Sequence, residues 1–283
     1  MKKTISYIFA MMFALSSIAT EQAPNAIYID GEERMLLMEP MLGDTALYSR
    51  MMALLPQDRA IISLNWDGYT SFWSIKQESL YLDSITVLYH DDKQYWRHEC
   101  LDENKMQSLF KGYTKKNGVL ATWFTGTLRA AHGKSIRYIQ MFDKRDYEYE
   151  TLLTIEKGRL AERNDYHNKV IEGYSFEYDD LKKNQNFKDI MAMLQLHPEK
   201  YPELAHANLI LFTINDVTMD SSGHITNCTV TAKCRGDNWE EHQGIAEDMK
   251  QAIMAVHPWK MIYLNGKYES YALDGYNIPY RPN

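Results

Sequence analysis

The stretches ILFTINDVTMDSSGHITNCTV, residues 210–230, and HPWKMIYLNGKYESYALDGYNIPY, residues 257–280, decide the fold of the C-terminal third. Residues 210–219 read as a strand of mixed alternation, Asp220-Ser221-Ser222-Gly223 as a turn, and 224–231 as a second strand. Between the two stretches, Ile245, Met249, Ile253 and Val256 recur at helical spacing and predict a helix over 239–256 with one apolar stripe. Asn238 is the expected cap, with Glu241 three positions on as in a capping box. Pro258 stops the helix and Trp259 opens a strand. Asn265-Gly266 predicts a tight hairpin turn, because both residues tolerate the positive φ it demands. Upstream, Tyr201-Pro202 opens a short helix, where the missing proline N–H costs little.

The preceding residues are richer in strands. Residues 26–38 predict a hairpin turning at Asp30-Gly31, and Asp44 or Thr45 caps a short helix through Leu47, Met51 and Leu54 that Pro56 ends. Residues 71–75 and 80–87 alternate with a period of two about a turn at Gln77-Glu78. Further strands are expected over 120–130, 135–142, 148–155 and 159–167, the last two joined by Lys157-Gly158. This density of short strands predicts a mainly antiparallel β-domain over 20–178, either a sandwich or a curled sheet. A connecting helix is expected over 179–198, capped by Asp179 or Asp180 and apolar at Leu181, Phe187, Ile190, Met191 and Leu194.

Lys2 and Lys3, an apolar run over 5–14 and Ser17-Ile18-Ala19 have the pattern of a secretory signal, with cleavage expected after Ala19. The run is shorter than a bilayer span, so no direct membrane span is expected once the signal is removed, and the expected location is the periplasm. A formal net charge of -7 with no basic stripe argues against nucleic acid as a partner. Cys100, Cys228 and Cys234 cannot all pair and are expected to pack as free thiols.

Tyr201, Pro202 and Ala205, then Asp220 and Gly223, Pro258 and Trp259, and Asn265 and Gly266 stand in the order of motifs of the TonB C-terminal domain, and residues 199–283 resemble that family. The glycine that precedes the family's first strand is missing here. The resemblance implies an α+β module of two helices on a roughly three-stranded antiparallel sheet. It further implies binding of an envelope protein or peptide by strand addition, at Tyr201, Pro202, Tyr268, Tyr271 and Leu273. The expected edge is one strand over 268–276, and a homodimer through it is the alternative pairing. Trp66, Gly68, Tyr69 and Trp73, then Leu80-Tyr81-Leu82, then Ala121, Trp123, Phe124, Gly126, Leu128 and Arg129 resemble an uncharacterised group of secreted Bacteroidetes-type proteins, which implies no activity.

Catalytic signatures are missing: there is no G-x-S-x-G elbow, H-E-x-x-H helix or phosphate loop. His90-Asp91-Asp92 and His98-Glu99-Cys100 lack metal-site spacing and read as loop residues, and His206, His242 and His257 as helix-end or surface histidines. Glu240-Glu241 reads as charge at a helix N-terminus. No catalytic residue, metal or cofactor is therefore expected. The competing function is a glycan-binding or glycan-processing protein that stacks sugar rings on Trp66, Tyr69, Trp73 and Trp123. Aromatic side chains also fit strand cores, and burial is the simpler account of these four.

Overall fold

The structure is a computed structural model and describes residues 25–61, 65, 67–90, 96–139, 144–176, 185–194, 196–235 and 239–281. The expected signal segment, Trp66, the Asp179-Asp180 cap and Asn238 lie outside the described residues. The fold is α+β with a large, mainly antiparallel sheet. The chain divides into two compact units, one of residues 1–132, 139–144 and 151–165, the other of residues 133–138, 145–150 and 166–283.

The first unit opens with β1 (Asn25–Ile29) and β2 (Glu32–Leu36), turned at Asp30 and Gly31 with φ of 55° and 84°. A 3-10 turn at Pro40–Gly43 leads into α1 (Thr45–Leu54), where the Asp44 side chain accepts from the Leu47 N–H at 2.9 Å. Then come β3 (Tyr69–Lys76), β4 (Ser79–His90), β5 (Trp96–Cys100), α2 (Glu103–Leu109), β6 (Thr114–Lys115), β7 (Gly118–Leu120), β8 (Gly126–Ile139), β9 (Lys144–Glu156) and β10 (Arg159–His167). The sheet order is β10-β9-β8-β2-β1-β3-β4-β7-β6, with β5 also on β4. β10 meets β4 at Arg159 and Ser79, so the sheet curls until seven of its strands close a ring. Curling, and not a sandwich, is the outcome. Ile27, Leu36, Trp73, Leu82, Leu128 and Ile155 fill the core, with Leu47 and Met51 of α1.

Two expectations change here. The strand expected over 120–130 is interrupted, because Phe124 N–H turns back to the Ala121 carbonyl at 2.9 Å and β8 starts only at Gly126. His98-Glu99-Cys100 is no loop: it lies in β5, paired with Leu88, Val87 and Thr86 of β4.

In the second unit, β11 (Lys169–Ile171), β15 (Met261–Leu264) and β16 (Lys267–Ser270) form a three-stranded sheet, β15 central. Asn265 and Gly266, at φ of 48° and 87°, make the β15–β16 turn. A second sheet has the order β14-β13-β12-β17, from β12 (Leu209–Met219), β13 (Ile225–Arg235), β14 (Trp239–Glu241) and β17 (Tyr276–Tyr280). The helices are α3 (Gln185–Met193) and α4 (Gln243–Ala255), with 3-10 turns at Pro198–Lys200 and Pro202–His206 between α3 and β12. Ile245, Met249, Ile253 and Val256 are buried with Ile210, Phe212, Ile214, Cys228, Ala232 and Cys234, as the stripe predicts.

The helix expected over 239–256 starts four residues late. Trp239 and Glu241 pair with Arg235 and Lys233, so β13 takes up the backbone groups that a helix would have used, and His242 Nδ1 accepts from Ile245 N–H as the cap. Trp259 makes an isolated bridge to Tyr174, and the strand proper begins at Met261. The strand expected over 268–276 is two strands. Leu273 N–H donates to Ser270 Oγ at 2.8 Å and Gly275 has φ 75°, a bend that ends β16 and re-aims the chain into β17.

Two substitutions probe these cores. Ile253→Asp should bury an unpaired charge beneath α4 and lower unfolding free energy by about 3 kcal/mol, and an unchanged denaturation midpoint would remove α4 from the core. Gly158 has φ 77°, and a Cβ there would lie 2.8 Å from the Ala121 carbonyl carbon. Gly158→Ala should cost more than the ~1 kcal/mol of a positive-φ alanine alone, read as a loss of Tm relative to Gly31→Ala, where the Cβ has open space.

Candidate functional site

β17 lies at the rim of its sheet, paired to β12 with Ile210 opposite Tyr280, Leu211 opposite Pro279 and Phe212 opposite Ile278. Pro279 has no N–H to give β12. A proline keeps its place in a paired strand where its nitrogen faces away from the partner. Residues two apart share that orientation, so Asn277 turns its N–H and carbonyl outward as well. Among the described residues no strand pairs with this outer side. The open rim therefore offers the Asn277 N–H and the Asn277 and Pro279 carbonyls, flanked by the half-buried rings of Tyr276 and Tyr280. The opposite rim, β14, carries exposed Glu240 and Glu241, charges that discourage an approaching strand.

Tyr201 sits at the entry to α4. A Cβ on Gly244 would lie 2.5 Å from Tyr201 Cε1, so only glycine admits the ring there. Its ring meets His242 edge-on at 4.9 Å, and His242 Nε2 lies 2.7 Å from Glu203 Oε1. The hydrogen bond from His242 holds the Glu203 carboxyl below its usual range, while desolvation, and then a hydrogen bond to Asp248, pushes the Tyr201 hydroxyl up. These contacts pin the Pro202–His206 turn to the helix start. Pro202 itself is exposed.

The remaining predicted binding residues do not line one edge. Tyr268 stands on β16 against Tyr263, ring centroids 5.0 Å apart. Tyr271 lies past the end of β16, its N–H on the Lys260 carbonyl at 3.3 Å and its hydroxyl on the Ile136 carbonyl at 3.2 Å. Leu273 is buried in the core. The end of β16 is also occupied: Arg137, paired with the buried Asp146 at 2.6 Å, donates to the Ser270 carbonyl at 3.1 Å.

The aromatic platform is not assembled. Tyr69 and Trp73 are 4% and 0% exposed, which leaves neither ring a face for a sugar. Trp123 is half-buried, stacked on Phe110 at 5.7 Å and edge-on to Tyr113 at 4.8 Å, and donates to the Pro40 carbonyl. Cys228 and Cys234 pack as expected, buried free thiols whose titration burial pushes up, whereas Cys100, also expected to pack, is exposed on β5. Among the described residues no three His, Cys, Asp or Glu side chains converge on a metal position, and no helix is long and apolar enough to cross a membrane.

Glu39 is the least expected ionisable group in the first unit. It accepts from Met41 N–H at 2.9 Å, Asn25 Nδ2 at 2.9 Å and the Tyr69 hydroxyl at 2.7 Å. Burial raises its pKa against those three hydrogen bonds, and burial with the Glu39 charge pushes the Tyr69 hydroxyl up too. With all its oxygens engaged it ties β1, the Pro40–Gly43 turn and β3 together. Comparison with protein-family models, curated proteins and solved structures gives no match for this chain.

The folded state thus holds the Glu39 proton to higher pH than the unfolded chain. Stability should fall as pH rises from the ordinary carboxyl value of 4.5 through the raised one. Glu39→Gln should remove that component, so the Tm difference between the two proteins should shift in favour of the variant as pH is raised from about 4 to about 8; a difference constant with pH would show that Glu39 does not titrate this way.

Proposed function

We propose that the chain is a periplasmic cell-envelope protein that binds another protein by strand addition at β17, without catalysis. The open outer rim of β17 is the observation that carries this reading, because an unpaired strand leaves N–H and carbonyl groups that an extended peptide satisfies. The chain order hairpin β12–β13 then helix α4 is that of the TonB C-terminal resemblance, while β15 and β16, which carry its Asn265-Gly266 turn, pair in the other sheet and leave β17 as the rim strand beside β12. The basic and apolar N-terminal residues support export. The partner is an extended segment of an envelope protein, with a second copy of this chain as the competing occupant.

Pro279 limits the rim. One donor of the row is missing, so the added segment is short and gains most of its specificity from side chains that pack on the half-buried Tyr276 and Tyr280. Because Asn277 turns its N–H outward, Asn277→Pro removes the remaining donor and spares the backbone bonds to β12, losing only the side-chain bond from Thr213 Oγ1 at 2.7 Å, which Asn277→Ala removes alone as the control. The folded variant, checked by circular dichroism, should recover roughly tenfold less partner from envelope extracts than the wild-type protein, the loss of one well-placed hydrogen bond. Equal recovery would overturn the assignment to β17. Sedimentation velocity on the purified protein separates self-pairing from capture of another chain.

A further inference from the structure

His224 and His257 stand side by side on the surface of the second unit, their ring centroids 4.3 Å apart and their planes at 41°. His257 is exposed and His224 half-buried. Both backbones are held by rigid neighbours. Asp220 N–H bonds the His224 carbonyl at 3.0 Å, which closes the β12–β13 turn, and β13 begins at the next residue. His257 follows the buried Val256 at the end of α4. Trp259 N–H bonds the Gly223 carbonyl at 2.9 Å, so the two imidazoles stay close as long as that bond holds. Side chains placed by a strand start, a helix end and a backbone clamp are preorganised for a shared ligand.

The hydrogen bonds around His224 decide its tautomer. Ser222 Oγ donates to Asp220 Oδ1 at 2.7 Å. The Ser222 hydroxyl, and then the backbone N–H groups of His224 and Ser222, hold the Asp220 carboxyl at about 2, so it is an acceptor only. The one hydroxyl proton of Ser222 is thereby spent, and the 2.8 Å contact between His224 Nδ1 and Ser222 Oγ needs its proton on Nδ1. His224 Nε2 keeps its lone pair. Asp220 Oδ2, 3.6 Å from the same Nδ1, adds negative charge behind the ring. One ring nitrogen donating to an oxygen partner and the other left as a base is the state of a metal-ligating histidine. His257 makes no hydrogen bond or ion pair among the described residues, so its ring nitrogens are free as well.

Distance selects the ion. With metal–nitrogen bonds of about 2 Å, imidazoles whose centres are 4.3 Å apart subtend roughly 85° at a shared ion, near the right angle of a tetragonal site and short of the tetrahedral angle that zinc takes. His257 can turn about its Cβ–Cγ bond, a soft torsion, and bring a nitrogen to the ion while its ring centre stays in place. Among the described residues no third His, Cys, Asp or Glu converges there, which leaves the other positions to solvent. We propose that His224 Nε2 and a ring nitrogen of His257 bind a divalent copper or nickel ion in adjacent positions of a square-planar or tetragonal site. The site shares no residue with strand addition at β17, so the two readings stand or fall separately.

Copper(II) chloride titrated into the purified full chain, carrying Cys100→Ser so that the exposed thiol does not compete, tests the site by calorimetry and electron paramagnetic resonance. The spectrum should show two equatorial ring nitrogens on the bound copper, and zinc should bind more weakly than copper. His224→Ala and His257→Ala should each weaken copper at least about tenfold, because the surviving imidazole then acts without the effective concentration its neighbour supplies. Both variants should keep the parent circular dichroism spectrum, and His98→Ala, at an exposed histidine on β5, should bind copper as the parent does. If an alanine variant disturbs the fold, the nitrogen count in the parent spectrum still decides. A single ring nitrogen in that spectrum, copper affinity unchanged in both alanine variants, zinc bound as tightly as copper, or no saturable binding at about 0.1 mM copper would overturn the proposal.

Discussion

Trp259 holds the second unit together. It is 1% exposed, its indole N–H donates to the Ile253 carbonyl at 3.1 Å, and its ring lies 5.6 Å from Phe176. Its backbone N–H bonds the Gly223 carbonyl at 2.9 Å, so one residue ties the end of α4, the β12–β13 turn and the segment around Phe176. Indole is suited to this, since it buries a large apolar area and has one polar atom, which must find an acceptor. The neighbourhood is built to its size. A Cβ on Gly173 would lie 2.5 Å from the Trp259 carbonyl carbon, so the strand segment beside it must be bare backbone.

With the end of α4 fixed this way, its apolar stripe has one place to rest, on the inner face of β12 and β13. Both rims of that sheet then face outward, and the chain treats them differently. β14 carries two glutamates, whereas β17 carries a single proline that blocks part of the edge and leaves Asn277 available. A fully guarded rim would carry charge or proline along its whole length.

Local chemistry explains where reading the residues succeeded. Asp30-Gly31, Lys157-Gly158 and Asn265-Gly266 turn where positive φ is needed, and Asp44 caps α1 through its own side chain. These features depend on residues within four positions of one another. The failures involve distant strands. Asn238 and Glu241 satisfy a helix cap by spacing, yet β13 supplies cross-strand partners to residues 239–241, including Lys233 for Glu241, and there the strand wins. Tyr69 and Trp73 alternate as a solvated platform would, but α1 and the curled sheet cover them. Pro279 in the closing strand and Gly244 in the first turn of α4 were usable signals for an open rim and for a ring packed on the helix start.

The sequence by itself determined the strand-rich α+β class, the main hairpins, the α4 stripe and the burial of Cys228 and Cys234, because period, turn chemistry and apolar character act over a few residues. Only the tertiary structure decided that the first sheet closes between β4 and β10, that residues 133–138 and 145–150 join the second unit, and that residues 268–276 bend away from one continuous edge. Each of these is a meeting of residues far apart in the chain, chosen by which backbone and charged groups find partners once the cores have formed, and no local pattern encodes that choice.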